Sequence, residues 1–379
     1  MTAVSYVLEI GGQAAPKEVL ASIASLEVED HADLADMLRL RLSVAVDGGA
    51  SKWRVLDDDL FTRLANVRVA LKVGSGQADP LIDAYVVDVR ASLSGEPGRS
   101  QVEIVAMDAT VLLSLEEKVK AWPDQADSAI ASAIFSDYGF DADVEDTRVV
   151  RQQDDVTTLQ RGTDLRFLRS LAERNGYECF VAVASGGRTE GHFHKPRLDE
   201  DPQAILNVNL GSATNVDEFT ARHDMLGATT AQATGLEVES GDDQSGDVSS
   251  AGQQNLGRSS SVPADRPRRV LVAGTGLTKG DELQAYAQAL VDRSSFAISA
   301  EGRTSGVLLG KALRAKKPVL VRGAGSSFSG TYYVQRVHHV FAGEGHVQHF
   351  TLRRNAVGLT RSEQFQESRA LPNQQAVRV

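Results

Sequence analysis

The chain has 379 residues, enough for two or three domains and a sizeable buried core. Apolar residues make up 42 % and charged residues 24 %, and no apolar run approaches the roughly 20 residues of a membrane-spanning helix, which excludes a helical membrane protein. With 51 acidic against 40 basic side chains the formal charge is −11, the wrong sign for a protein that coats nucleic acid.

The N-terminal MTAVSYVLEIGGQ lacks the basic patch, apolar stretch and cleavage site of an export signal, so folding in the cytoplasm is expected. Residues 1–115 then read as strands. In MLRLRLSVAV, Leu38, Leu40, Leu42, Val44 and Val46 alternate with Arg39, Arg41 and Ser43, and one face is apolar. NVRVALKV repeats the pattern with Val67, Val69, Leu71 and Val73, and further strands are predicted at 4–10, 26–30, 81–90 and 101–107. A mostly antiparallel sheet of this kind must curl or pair to hide its apolar face, which predicts a barrel or sandwich. The triplet Asp57-Asp58-Asp59 reads as a solvated turn.

From Pro123 to Asn175 the period shifts to about 3.6, and a small α/β domain is predicted over 116–204. One helix carries Ile130 and Ile134 and stops at Gly139; a second puts Leu165, Leu168, Leu171 and Ala172 on one stripe, with Asp164 near its start and Gly176 beyond its end. A hairpin follows, YECFVAV turning through Ser185-Gly186-Gly187-Arg188 into EGHFHKP. The single Cys179 lies in its first strand, excludes an internal disulfide, and reads as a small buried apolar side chain.

Strands resume at AILNVNLG and DEFTARHDM. Residues 236–268 are rich in Ser, Gly, Gln and Asp and lack aromatic residues, which predicts a flexible loop. A strand-helix insertion at 269–295 carries Leu283, Tyr286, Ala287, Leu290 and Val291 on one helix face. Strands at 296–358, together with 205–235, are assigned to a second β domain whose apolar face includes Val319, Val321, Val334 and Phe350. Residues 359–379 read as a tail that orders only against a partner.

Motif chemistry is sparse: no nucleophile elbow, zinc-protease helix, calcium loop or P-loop is present. GTGLTKG, 274–280, sits between a strand and a helix but has the wrong glycine spacing for a dinucleotide turn, and its Lys279 precedes a glycine, so it reads as a capped turn. His338 and His339 are adjacent on a strand and point to opposite faces, near His346 and His349; His192 and His194 share a face but have no carboxylate at suitable spacing. On these grounds no catalytic, cofactor-binding or metal-ligating residue is assigned, and no cofactor is expected.

Two stretches, QRGTDLRFLRSLAERNGYECFV at 160–181 and FSGTYYVQRVHHVFAGEGHVQHFTLRRNAVG at 328–358, resemble the phage late-control protein D family. VEIVAMDATVLLSL at 102–115, the helix ending Asp137-Tyr138-Gly139, and the passage 283–300 before GKALRAKKPVLVRGAG match in order and spacing, so the resemblance spans nearly the whole chain outside the loop and tail. It implies a mainly β, α+β protein with two tandem barrel-like domains of the tail-hub type. The implied role is a homotrimeric baseplate hub, six barrels per ring, joining a hexameric inner tube to a trimeric spike in a phage tail, tailocin or contractile injection system. Few residues follow Gly358, so the spike is expected to be a separate chain. The implied partners are the chain itself, tube proteins, the spike and a LysM-type baseplate protein, with neither nucleic-acid recognition nor membrane insertion; the protein is expected first in the cytoplasm and then in the assembled particle. A β-rich glycan-binding or glycan-cleaving tail protein is the alternative, although aromatics at 6 % advertise no sugar platform.

Overall fold

Leu38, Leu40 and Leu42 are fully buried, while Arg39 and Arg41 between them reach across to Glu27 and Glu103 on the two flanking strands. This period of two builds the first half of the molecule. The structure, a computed structural model, describes residues 4–47, 52–53, 55–147, 149–151, 157–184, 187–237, 240–343 and 345–360. Among these no helix is long and apolar enough to cross a membrane.

The first half contains β1 (Val4–Ile10), β2 (Ile23–His31), β3 (Met37–Ser43), β4 (Asn66–Val73), β5 (Asp79–Ser92) and β6 (Gln101–Asp108), all antiparallel in the order β2-β3-β6-β5-β4-β1. Its core is aliphatic and includes Leu26, Leu40, Val69 and Ile104.

A small α/β unit follows: β7 (Glu117–Trp122), α1 (Asp127–Asp137), β8 (Asp141–Val144), β9 (Thr158–Thr163), α2 (Asp164–Asn175), β10 (Glu178–Val183) and β11 (Thr189–His194). The helix α2 begins with the Thr163 side chain accepting from Arg166 N–H and ends at Gly176 in the left-handed conformation. Phe167 joins Leu168, Leu171 and Ala172 on its buried face, while Leu165 lies at the margin of that face. β8 runs parallel to β11, which pairs antiparallel with β10. Of the turn expected at 185–188, Ser185 and Gly186 lie outside the described residues.

The remaining elements are β12 (Ile205–Asn207), β13 (Glu218–His223), β14 (Thr229–Leu236), β15 (Asp243–Val248), β16 (Arg268–Ala273), α3 (Gly280–Ser295), β17 (Ile298–Ser305), β18 (Pro318–Arg322), β19 (Gly330–Ala342) and β20 (Gly345–Arg354). The second half of the sheet runs β13-β17-β20-β19, with β18 on β19 and β12 parallel to β18. Val319, Val321, Val334, Phe350 and Leu352 pack in its core.

The protein is mainly β with α/β insertions and two barrel-like halves, but the halves are not separate sheets. One 13-stranded sheet runs through both. The long strand β19 makes the join: residues 330–333 pair with β18, 336–341 pair with β2, and the change of partner falls at a bulge at position 335. Ala312 and Phe341, from the second half of the sequence, accordingly pack in the first core.

The loop expected at 236–268 is corrected, because the segment contains β15 and the short strand Ser259–Ser260, and Leu256 is buried. β15, β14 and β16 form their own three-stranded sheet, so β14 belongs with the strand-helix unit and not with the second half. Small residues make this sheet possible. A Cβ on Gly246 would stand 2.4 Å from the Gln284 backbone nitrogen and one on Gly235 would stand 2.5 Å from the Leu277 carbonyl oxygen, so these glycines let α3 and its approach lie directly on the strands. Composition alone read that as flexibility; close packing is what it serves. Most of the tail expected at 359–379, all beyond 360, lies outside the described residues.

Candidate functional site

Along β2 the positions of Leu26, Val28 and Asp30 share the buried face, as Val102, Ile104, Ala106 and Asp108 do along β6. Each strand thus ends its apolar row on a carboxylate. Both carboxylates come to the seam, where Lys316, from the second half of the sequence, pairs with Asp30 and with the neighbouring Asp36. Lys316 Nζ lies 2.7 Å from Asp30 Oδ1 and 3.0 Å from Asp36 Oδ1, and the Ala315 N–H donates to Asp30 Oδ2 at 3.0 Å. Asp108 accepts the backbone N–H groups of Asp36 and Thr110. Arg314 extends the clamp to the Leu81 carbonyl and the Asp79 carboxylate.

Burial opposes every charge here, and the pairing decides which survive. Burial raises Asp36 well above the usual carboxylate range, aided by Asp30 and Asp108 and opposed by Lys316; burial likewise raises Asp108. For Asp30 the same burial is outweighed by Lys316 and Arg314, and its carboxyl stays below the ordinary value. Lys316, despite its own burial, is held above the ordinary lysine range by Asp30 and Asp36.

This cluster lines a cavity of about 470 Å³ together with residues of β8, β10 and β11. Phe180 of β10 joins the two groups, its ring stacked on His192 at 4.4 Å between centroids and 4.9 Å from Lys316 Nζ. His192 Nδ1 is 3.0 Å from Asp143 Oδ2 and 3.4 Å from His194 Nε2, and Arg197 donates to both oxygens of Asp143. Burial, then His194, pushes His192 down to about 4, and burial also lowers His194. The expectation that these histidines lack a carboxylate is therefore corrected: Asp143 is supplied by the parallel strand β8, where it is in register with His192. Sequence spacing carries no trace of that pairing, since the two residues are 49 positions apart.

The other histidines do separate by face. His338 Nε2 is 3.1 Å from Glu27 Oε2, while His339 is fully buried with its Nδ1 3.1 Å from His346 Nε2. His346 stacks on Phe341, and burial pushes it down to about 4. His349 lies beside His338, with ring centroids 6.1 Å apart. Cys179 is partly buried and its thiol is pushed up to about 12 by burial, so no thiolate nucleophile forms there at neutral pH. In the 274–280 turn the Glu282 carboxylate accepts the N–H groups of Thr278 and Lys279 and pairs with Arg151 at 2.6 Å, filling the helix start with the protein's own anion. Asp57 and Asp58 accept the backbone N–H groups of Trp53 and Val55, as a turn requires.

The fold is that of tail proteins. The chain is similar to the prophage MuSo2 43 kDa tail protein of Shewanella oneidensis, with a TM-score of 0.66 and 13 % identity over 93 % of this chain and 99 % of that one. A tail protein of Neisseria meningitidis MC58 matches with a TM-score of 0.66 and 10 % identity over 94 % and 98 % of the two chains. The c3393 protein of Escherichia coli, a component of the type VI secretion system with structural similarity to T4 bacteriophage tail proteins, matches with a TM-score of 0.57 and 11 % identity over 93 % of this chain and 77 % of its own. No curated protein matches in sequence. A family model described as the Alg8 N-terminal domain matches residues 1–343, and the chain belongs to that family.

Proposed function

We propose that this chain is the structural hub of a contractile tail or contractile injection system, a homotrimer that adapts a hexameric inner tube to a separate trimeric spike. The observation that carries the reading is the pair of barrel-like halves on one continuous sheet, in a fold shared with a prophage tail protein over 93 % of this chain. Two similar halves in each of three chains present six tube-facing units, so a threefold assembly meets a sixfold one without any change of sequence. The late-control protein D resemblance supports the same role, with a LysM-type baseplate protein as a further partner. Assembly takes place in the cytoplasm and the protein ends in the particle.

The role is non-enzymatic in this reading. Among the described residues the exposed large apolar side chains are Val, Leu and Met, with no aromatic ring of the kind that stacks on sugars, which weighs against the glycan alternative. Light scattering on the chain mixed with a trimeric spike protein and a tube protein of the same particle tests the proposal. A complex with three copies of the hub is expected; a monomeric one-to-one complex with the spike overturns it.

A further inference from the structure

We propose that Asp143, His192 and His194 form a binding site for a single zinc ion that ties β8 to the end of β11, with its fourth coordination position open to the seam cavity. Three observations carry this. The first is the shape of the donor set: His192 Nδ1, His194 Nε2 and Asp143 Oδ2 are separated by 3.0, 3.4 and 4.0 Å. A tetrahedral zinc ion with bonds of about 2.0–2.1 Å separates its ligands by about 3.3–3.4 Å, and the triangle here has a centre roughly 2 Å from each corner.

The second is the tautomer. His194 Nδ1 lies 2.7 Å from the Lys195 carbonyl oxygen, which can only accept, so Nδ1 carries the proton and Nε2 presents a lone pair. That lone pair and the Asp143 carboxylate converge on His192 Nδ1, where one shared proton occupies the position an ion takes. When the ion binds, this proton moves to His192 Nε2, which faces Glu190 Oε2 at 3.7 Å.

The third is the setting. Both histidines are more than nine-tenths buried, and His192 is held flat by Phe180, so little ordering remains to be done on binding. Arg197 occupies lone pairs on both Asp143 oxygens and fixes the carboxylate, which retains further lone pairs for a metal. Two further carboxylates add negative charge beside the histidines: Glu190 Oε2 lies 3.7 Å from His192 Nε2, and Glu145 accepts the Lys195 N–H. All three ligands line the cavity, which leaves room for a water as fourth ligand.

The test uses the full chain, stripped with a chelator and dialysed against Zn2+, with bound metal counted by mass spectrometry and affinity measured by calorimetry; Co2+ serves as the optical probe. One equivalent of zinc, a sub-micromolar dissociation constant, tetrahedral Co2+ absorption and a raised unfolding temperature are expected. His194→Gln and Asp143→Asn should each weaken binding by about a hundredfold or more while leaving the circular dichroism of the metal-free protein unchanged. If one variant fails to fold, the other decides. Absence of binding tighter than about 10 μM in the parent chain, or binding unchanged in a folded variant, overturns the site and leaves the three residues as a hydrogen-bonded triad.

Discussion

Lys316 Nζ lies 2.7 Å from Asp30 Oδ1, and the two residues are 286 positions apart in the chain. The pair closes the seam at which β19 passes from the second half of the sheet to β2, and Asp36 and Asp108 complete the polar cluster behind it. A buried cation shared by two carboxylates adds little net stability over an apolar replacement of the whole cluster, but it is costly to break from one side. The seam is therefore a point of register: the two halves dock where Lys316 finds both acids.

Replacing Lys316 with Met leaves Asp30 and Asp36 facing one another without a cation. Unfolding in urea should show a loss of about 3–5 kcal/mol. Adding Asp30→Asn and Asp36→Asn in the same chain should recover much of it, because the uncompensated Asp30 carboxylate and the buried acid beside it are then gone. A single Lys316→Met variant as stable as the parent contradicts this account of the seam.

Acid should destabilise the protein through His346 and His339. Burial holds His346 at about 4, against about 6.5 in the unfolded chain, and burial together with His346 holds His339 well below its ordinary value. Between these limits the unfolded chain takes up protons that the folded one refuses, so the contribution of these two histidines to stability is greatest above pH 6.5 and falls as pH drops towards about 4. For His346 the loss is at most about 3 kcal/mol. Arg314 and Asp30 also act on His339, with opposite signs. The pH dependence of unfolding should flatten in His346→Gln, and an unaltered slope counts against the assignment.

Gly246→Ala should cost about 1–3 kcal/mol, because the new methyl meets the α3 backbone at Gln284 and Leu283 instead of a yielding side chain. Gly95→Ala, where nothing lies within 4 Å of the added carbon, should be close to neutral. Thermal unfolding of the two variants side by side checks the comparison.

Arg354 is fully buried, and its guanidinium donates to the carbonyl oxygens of Leu256, Ser329 and Gly358 at 3.0, 2.9 and 2.6 Å. Arg354→Leu strands these acceptors and should both lower stability by about 3 kcal/mol or more and expose the 250–260 segment to proteolysis. Limited digestion followed by mass mapping reads the second effect directly. Protection equal to that of the parent chain contradicts it.

Much of the secondary structure is determined locally and can be read without a fold. Alternation at Leu38, Leu40 and Leu42 specifies a half-buried strand whatever lies across from it, and Thr163 with Gly176 marks the ends of α2, because pleat, helical period and caps are properties of short stretches. Asp30 and Asp108 were legible in principle, each continuing the apolar parity of its strand. Pairing between distant segments was not legible. Asp143 reaches His192 only through a parallel strand pair, and Lys316, in the surface-like run RAKKP, reaches Asp30 only once β19 has crossed to β2. The Ser- and Gly-rich 236–268 segment shows the same division from the other side. Its composition is that of a loop, and what makes it ordered is the nearness of α3 and Arg354, which supply from elsewhere in the chain the backbone packing and hydrogen-bond donors that its own side chains lack.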